Sequence, residues 1–309
     1  MSRTASVTTE NKSYTYFAAG VIICLFGAIC FSTKAIFVKL AYRETNVDPV
    51  TLLALRMLFA LPFFVISAWW SSSQSTNVRF TTRQWLAVAA MGCLGYYISS
   101  LLDFIGLQYV SAGIERLILF IYPTLVLLIS GIIFKTKIKG PQWVAVAITY
   151  AGLIVAFWGE ASFEGQSKTF YLGAAYIFIC AVTFAIYIVG SGKLIPVIGA
   201  AKFNSYAMSF AALAVLLHFF FNNDNSLFNL DNQVYVYSFS MAIIGTVIPS
   251  YLIAFGIKRV GSENAAIIGS IGPVSTIVQA YFFLQEPIHL FQLLGTGLIL
   301  AGILIISKK

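Results

Sequence analysis

The chain has 309 residues, 59% of them hydrophobic and only 10% charged. A soluble domain carries roughly 25% charged residues, so these charges are too few to cover a soluble surface, and lipid must replace water around most of the circumference. The net charge of +8 would suggest a nucleic-acid partner in a soluble protein; here the basic residues sit mostly in short connectors between apolar runs, which points to topology signals and anionic lipid instead.

A spanning helix needs about 20 largely apolar residues. In chain order, such runs fall at about 14–40, 50–70, 85–109, 114–134, 142–158, 171–190, 203–221, 234–257, 264–284 and 290–306. The first is too long for a signal-peptide core and lacks a small-residue cleavage site, so it reads as a retained span. Alternating strand patterns are absent, which argues against a membrane barrel. The expected fold is an all-α polytopic membrane protein of ten transmembrane helices.

Basic residues orient the chain. With the N-terminus cytoplasmic, the cytoplasmic segments hold Arg3, Lys12, Arg79, Arg83, Lys135, Lys137, Lys139, Lys193, Lys202, Lys258, Arg259, Lys308 and Lys309. The opposite connectors carry chiefly acids: Glu44, Asp48, Glu160, Glu164, Asp224, Asp231 and Glu286. This bias predicts that both termini are cytoplasmic in a plasma (inner) membrane.

A shift of 150 residues lays Gly95 on Gly245, Gly106 on Gly256, Pro123 on Pro273 and Gly152 on Gly302; nearer the start a shift of 153 lays Gly20 on Gly173, Ala28 on Ala181 and Phe31 on Phe184. The predicted halves are 14–158 and 171–306, with five spans each. An odd number of spans makes the second half enter from the opposite side, giving two inverted five-helix repeats, a construction common among secondary transporters.

Three stretches carry a resemblance. They are Leu102-Asp-Phe-Ile-Gly-Leu-Gln-Tyr-Val-Ser-Ala-Gly leading into Phe120-Ile-Tyr-Pro123, Ala254-Phe-Gly-Ile-Lys-Arg-Val-Gly-Ser leading into Ile271-Gly-Pro273 and Leu284-Gln-Glu286-Pro287, and Leu55-Arg56-Met57. The chain resembles the EamA-type transporters of the drug/metabolite transporter superfamily over about 290 residues. The resemblance implies ten helices in two inverted repeats, and movement of amino acids, metabolites or drug-like compounds, mostly outward. It also implies an acidic residue after the fourth span of each repeat; Glu286 supplies it in the second half, while the first half reads Phe134-Lys-Thr-Lys-Ile-Lys139.

Charges inside apolar spans are costly and therefore functional candidates. Lys34, Lys39, Arg56, Asp103, Glu115 and Arg116 all belong to the first half and to the outer side of the predicted topology. Matched positions in the second half are Tyr187 for Lys34, Ile253 for Asp103, Ala265 for Glu115 and Ala266 for Arg116. Tyr96, Ser100 and Asp103 share a helix face, as do Glu115 and Tyr122. The expected cavity set for substrate or proton handling is Lys34, Arg56, Tyr96, Ser100, Asp103, Glu115, Arg116, Tyr122 and Tyr187. Pro123 and Pro273 are expected to kink their spans. Competing readings of the same residues are snorkelling of Lys39, Glu115 and Arg116 to headgroups, a structural ion pair at Arg56, and packing or belt roles for the tyrosines.

The cysteines, Cys24, Cys30, Cys93 and Cys180, lie in apolar runs with no Cys-x-x-Cys, and His218 and His289 stand alone. No metal site and no cofactor are expected. Catalytic motifs and a phosphate-binding loop are absent from the sequence. The expected function is a non-enzymatic secondary transporter of a small organic solute; a membrane-embedded enzyme and a non-transporting receptor or assembly protein are the alternatives.

Overall fold

The computed structural model describes residues 2–74, 79–134, 140–164, 168–222, 226–269 and 271–307. Lys135, Lys137, Lys139, Asp224, Lys308 and Lys309, on which part of the charge bias rests, lie outside the described residues.

The chain folds as a helical membrane protein, with no strand among the described residues. In order, the helices are α1 (Ser2–Glu44), α2 (Pro49–Ser73), α3 (Thr82–Gly106), α4 (Ala112–Leu119, then Tyr122–Phe134), α5 (Gly140–Glu164), α6 (Lys168–Ile198), α7 (Ala200–Asn222), α8 (Asn232–Val260), α9 (Ser262–Ile268, then Ile271–Gln279 and Ala280–Leu284) and α10 (Leu290–Ser307). Eight of them, all but α5 and α10, are long and apolar enough to cross a membrane. In α5 and α10 the apolar stretches among the described residues are shorter, Trp143–Gly152 and Leu290–Gly302. The expected spans at 142–158 and 290–306 thus meet helices whose described apolar part falls short of the usual crossing length.

Local sequence sets the helix starts. Asp48 caps α2 by accepting from the backbone N–H groups of Val50 and Thr51 at 3.0 Å each, with Pro49 in the first turn, where its missing N–H costs nothing. Thr81 and Gln84 form a capping box on α3, and Ser111 caps α4 by accepting from the Ile114 N–H. Large apolar side chains such as Ile66, Trp69, Leu86, Ile132, Phe220 and Phe282 point outward and exposed. That is tolerable only against lipid, in which helices satisfy their own backbone.

The packing repeats along the chain. The contact of α1 with α8 has a counterpart in α6 with α3; α1 with α9 matches α6 with α4; and α2 with α8 matches α7 with α3. Of the remaining contacts the two most extensive, α2 with α7 and α5 with α10, join an element to its own counterpart five places on, as does α4 with α9. Local irregularities repeat too. Both α3 and α8 widen into a single π-helical turn, at Cys93–Ile98 and Ile243–Val247, and both α4 and α9 are interrupted, at 120–121 and after Ile268. A side chain at Gly95 would collide with the ring of Tyr187 on α6, its Cβ only 2.3 Å from the nearest ring atom; at the counterpart Gly245 it would meet the Lys34 backbone and Cβ on α1 at 3.3 to 3.5 Å. Small residues at these points let the helices close on one another.

Candidate functional site

Two helices carry the same sequence of environments along their length, and a third shares its outer part. On α1, Cys24, Ala28 and Phe31 line an interior cavity, Lys34 follows, and Lys39, Tyr42 and Arg43 line a wide vestibule at the end of the bundle marked by Asp48 and Glu286. On α4, read in the opposite direction, Phe120 and Tyr122 line the cavity, Glu115 and Arg116 follow, and Ser111 faces the vestibule. On α3, Asp103 precedes Leu107 and Gln108 of the vestibule. The charged residues therefore form a layer between cavity and vestibule.

This layer is dry. Arg56, Asp103 and Glu115 are 0% exposed, Lys34 2% and Arg116 4%. Lys34 Nζ lies 2.6 Å from Asp103 Oδ2, joining α1 to α3. Arg116 Nε stands 3.5 Å from Glu115 Oε2, and the Glu115 carboxyl faces Asp103. Arg56 Nε donates to Thr246 Oγ1 at 2.7 Å, in the π-helical turn of α8, and that hydroxyl donates in turn to the Met241 carbonyl. The Arg56 guanidinium also lies 5.4 Å from the centre of the Phe104 ring. Two further cations approach one ring: Lys34 Nζ at 4.8 Å and the Arg116 guanidinium at 5.7 Å from Phe31. Buried charges persist in a protein only when ion pairs, hydrogen bonds or ring faces replace water.

The cavity beneath the layer is small, with a volume of about 40 Å³, room for a few waters. Its wall is mostly apolar and aromatic, with Phe31, Phe120, Tyr122, Phe184, Ile253 and Pro273 among its members and Arg116 its one charged member among the described residues. The Tyr122 hydroxyl donates to the Ala266 carbonyl at 3.2 Å, tying α4 to α9. Ser32 Oγ donates to the Ala28 and Gly272 carbonyls, tying α1 to α9. The vestibule is much larger, about 580 Å³.

The structure sorts the residues singled out in the sequence into two groups. Lys34, Arg56, Asp103, Glu115 and Arg116 come together in the charged layer, with Arg116 also reaching the cavity. Glu115 and Arg116 do not snorkel; both are buried. Tyr122 lines the cavity. Tyr96 and Tyr187 instead meet each other edge to face with centroids 5.1 Å apart, behind the cavity wall, and Ser100 is buried without a place on that wall. Pro123 stands second in the restarted helix segment Tyr122–Phe134 and Pro273 third in Ile271–Gln279, so both lie in the first turn of a helix that begins after a break instead of bending a continuous one.

Residues outside the expected set complete the site. Thr246 is the hydrogen-bond partner of Arg56; a lone hydroxyl in an apolar run gives little signal. Phe31 and Phe184 stack with centroids 5.8 Å apart, and the signal for them was their match under the 153-residue shift. Glu286 accepts from the Ala112 N–H at the start of α4 and lines the vestibule.

Comparison with known proteins agrees with this picture. The model of the EamA-like transporter family matches twice, at residues 18–158 and 171–308. An uncharacterized transporter of Bacillus subtilis, YcbK, is 32% identical over 289 residues, spanning 91% of this chain and 90% of that protein. An uncharacterized inner membrane transporter of Salmonella typhimurium, YicL, is 20% identical, spanning 93% of this chain and 95% of its own. A solved crystal structure superposes with a TM-score of 0.70 at 18% identity, covering 94% of this chain and 96% of its own, which is a likeness of fold. The chain is a member of the EamA-like transporter family, within the drug/metabolite transporter superfamily.

Proposed function

We propose that this protein is a secondary transporter that moves a small organic solute by alternating access, in the direction of export, through ten spans arranged as two inverted five-helix repeats (14–158 and 171–306). Both termini are cytoplasmic, so the vestibule opens to the outside. The observation that carries the reading is the order along α1 and α4: open vestibule, buried charged layer, small cavity, with Asp103 of α3 in the middle layer. A layer of paired charges can be sealed or parted, which an apolar plug of the same thickness cannot do by exchanging partners.

Inversion gives the cavity its two different walls. Under the 150-residue shift, Asp103, Glu115 and Arg116 correspond to Ile253, Ala265 and Ala266, and these three apolar residues line the cavity. The repeat contributes a charged lid on the outer side and an apolar floor on the inner side. In the state described the lid is shut by the Lys34–Asp103 bridge, and the cavity must widen to admit a solute.

The test is reconstitution. A melting-temperature screen across metabolite classes finds solutes that stabilise the purified protein by mass action, and proteoliposomes then measure their flux. Saturable flux of a stabilising solute is expected. Stabilising solutes that never cross the membrane in the presence of this protein would overturn the carrier reading.

A further inference from the structure

The charged layer does not balance. Three cations, Lys34, Arg56 and Arg116, are buried with two acids, Asp103 and Glu115. Even with both acids ionised the layer holds one positive charge in excess, away from water, where uncompensated charge is expensive. Lys34 is committed to Asp103 at 2.6 Å. Hydrogen-bonding capacity is unfilled on both signs of the layer: both Arg56 Nη atoms, Arg116 Nε and Nη2, and the carboxylate oxygens of Asp103 and Glu115 are buried with no hydrogen-bond partner. Of these two arginines, Arg116 is the one that faces the cavity.

Two further features aim at the same spot. The restarted segments Tyr122–Phe134 and Ile271–Gln279 both begin at the cavity wall, where Tyr122, Gly272 and Pro273 line it. The start of a helix carries partial positive charge and favours anions; in transporters with broken helices such starts meet anionic groups of the solute. Gly272 stands beside Arg116: a Cβ there would be in ordinary contact with Arg116 Cδ at 3.8 Å and Ser32 Oγ at 3.6 Å, so a longer side chain would reach into the space next to the guanidinium. The rest of the wall is mostly apolar and aromatic, and among the described residues it offers no acid to a cationic group.

We infer that the cavity binds a small organic monoanion, a carboxylate or a group of like charge on an apolar body, with its negative end on Arg116 and its body between Phe31, Phe184 and the α9 wall. The inference rests on the transporter reading for its purpose, and on the unbalanced layer for its chemistry. It commits to a solute of net negative charge over a zwitterion, a neutral molecule or a cation of the same shape.

The experiment uses the full chain in phosphatidylcholine nanodiscs, which removes anionic lipid as a source of the negative group. Two shape-matched probe series are compared by thermal melting: 3-phenylpropanoate, phenylalanine, 3-phenylpropanol and 3-phenylpropylamine; then hexanoate, norleucine, hexanol and hexylamine. A charge-assisted hydrogen bond contributes about 1.5–3 kcal/mol, so the anion should bind about ten- to a hundred-fold more tightly than its neutral analogue in at least one series. Arg116→Gln should abolish that preference. Because this variant takes from Glu115 the cation beside it and could fail to fold even though the layer's charge then balances, Gly272→Val is made beside it; it leaves every charge in place, crowds the space next to Arg116, and should weaken the anion while the melting temperature without probe stays near wild type.

Equal or better stabilisation by the amine, the amino acid or the alcohol would overturn the inference. So would failure of both anions to stabilise the protein, an unchanged anion preference in both variants, or an equal effect of sodium chloride or inorganic phosphate, which would mark an inorganic-anion site. The two claims fail separately. A cation that binds and crosses the membrane would refute the anionic class and keep the carrier; an anion that binds with the stated preference but never crosses would keep the site and refute the carrier.

Discussion

Phe31 on α1 and Phe184 on α6 stack with ring centroids 5.8 Å apart and planes 18° apart. They are each other's counterparts under the 153-residue shift, so the contact is one between equivalent positions. A symmetry axis relating two halves brings a residue and its counterpart together only where both lie near that axis. The pair also lines the cavity, which ties the cavity to the same place.

Phe184 meets more rings than its counterpart, whose further partners are Lys34 and Arg116. The Phe184 ring also meets Tyr122 edge to face at 5.2 Å and stacks on Tyr187 at 5.8 Å. Truncating a buried Phe costs about 3–5 kcal/mol, and aromatic pairs add about 0.5–1.5 kcal/mol each. Phe184→Ala should therefore lower the melting temperature in detergent more than Phe31→Ala. Equal losses would mean that the extra rings at Phe184 add no more than the two cations over Phe31.

The counterpart glycines should also differ. A Cβ at Gly95 would stand 2.3 to 2.6 Å from Tyr187 atoms, whereas at Gly245 the nearest approach is 3.3 Å. Overpacking costs about 1–3 kcal/mol, so Gly95→Ala should destabilise by about that amount and Gly245→Ala by less. A Gly245→Ala protein that melts below Gly95→Ala would contradict the close approach of α3 to α6.

Arg56 depends on one hydroxyl. Thr246→Val removes the acceptor 2.7 Å from Arg56 Nε while keeping the side-chain shape. Losing a hydrogen bond to a buried charge costs about 1.5–3 kcal/mol. The expected result is a clear drop in melting temperature that Thr246→Ser partly reverses. A neutral Thr246→Val would show that Arg56 finds another partner.

The proposed topology has its own check. A cysteine-bearing tag fused at either end should resist impermeant maleimide added to intact cells, because the basic connectors hold both termini in the cytoplasm. Labelling of either tag from outside would reverse the orientation, and with it the assignment of the vestibule to the outer face.

Much of this was legible in the sequence because a bilayer enforces simple rules. Apolar runs give helices, since no other open structure satisfies its backbone in lipid, and the constant shift that pairs Pro123 with Pro273 marked matched irregularities in α4 and α9, expected as kinks and found as breaks. The gathering of Lys34, Asp103, Glu115 and Arg116 was legible from cost alone, because isolated charges do not stay in a membrane. What the sequence hid depends on side-chain direction across helices. The π-helical turn at Cys93–Ile98 changes the register between Tyr96 and Asp103, so the face predicted from ideal helical spacing separated: Asp103 joined Lys34, and Tyr96 turned to Tyr187. Thr246 could not be singled out before its partner was known, since nothing local distinguishes it from a packing hydroxyl.

The charged lid is the centre of the proposed mechanism, and Lys34 with Asp103 is its closing bond. Removing one partner leaves the other buried alone, at a cost of about 3–5 kcal/mol, so Lys34→Met and Asp103→Asn should each fold poorly. The double variant Lys34→Met, Asp103→Asn removes both charges and should recover most of the lost stability. The decisive measurement is flux of a wild-type solute through proteoliposomes containing that folded double variant. The lid mechanism predicts a protein that melts near wild type, inserts normally and shows no saturable transport. Transport at the wild-type rate would contradict it, and would leave the pair as a structural ion bridge with no part in moving the solute.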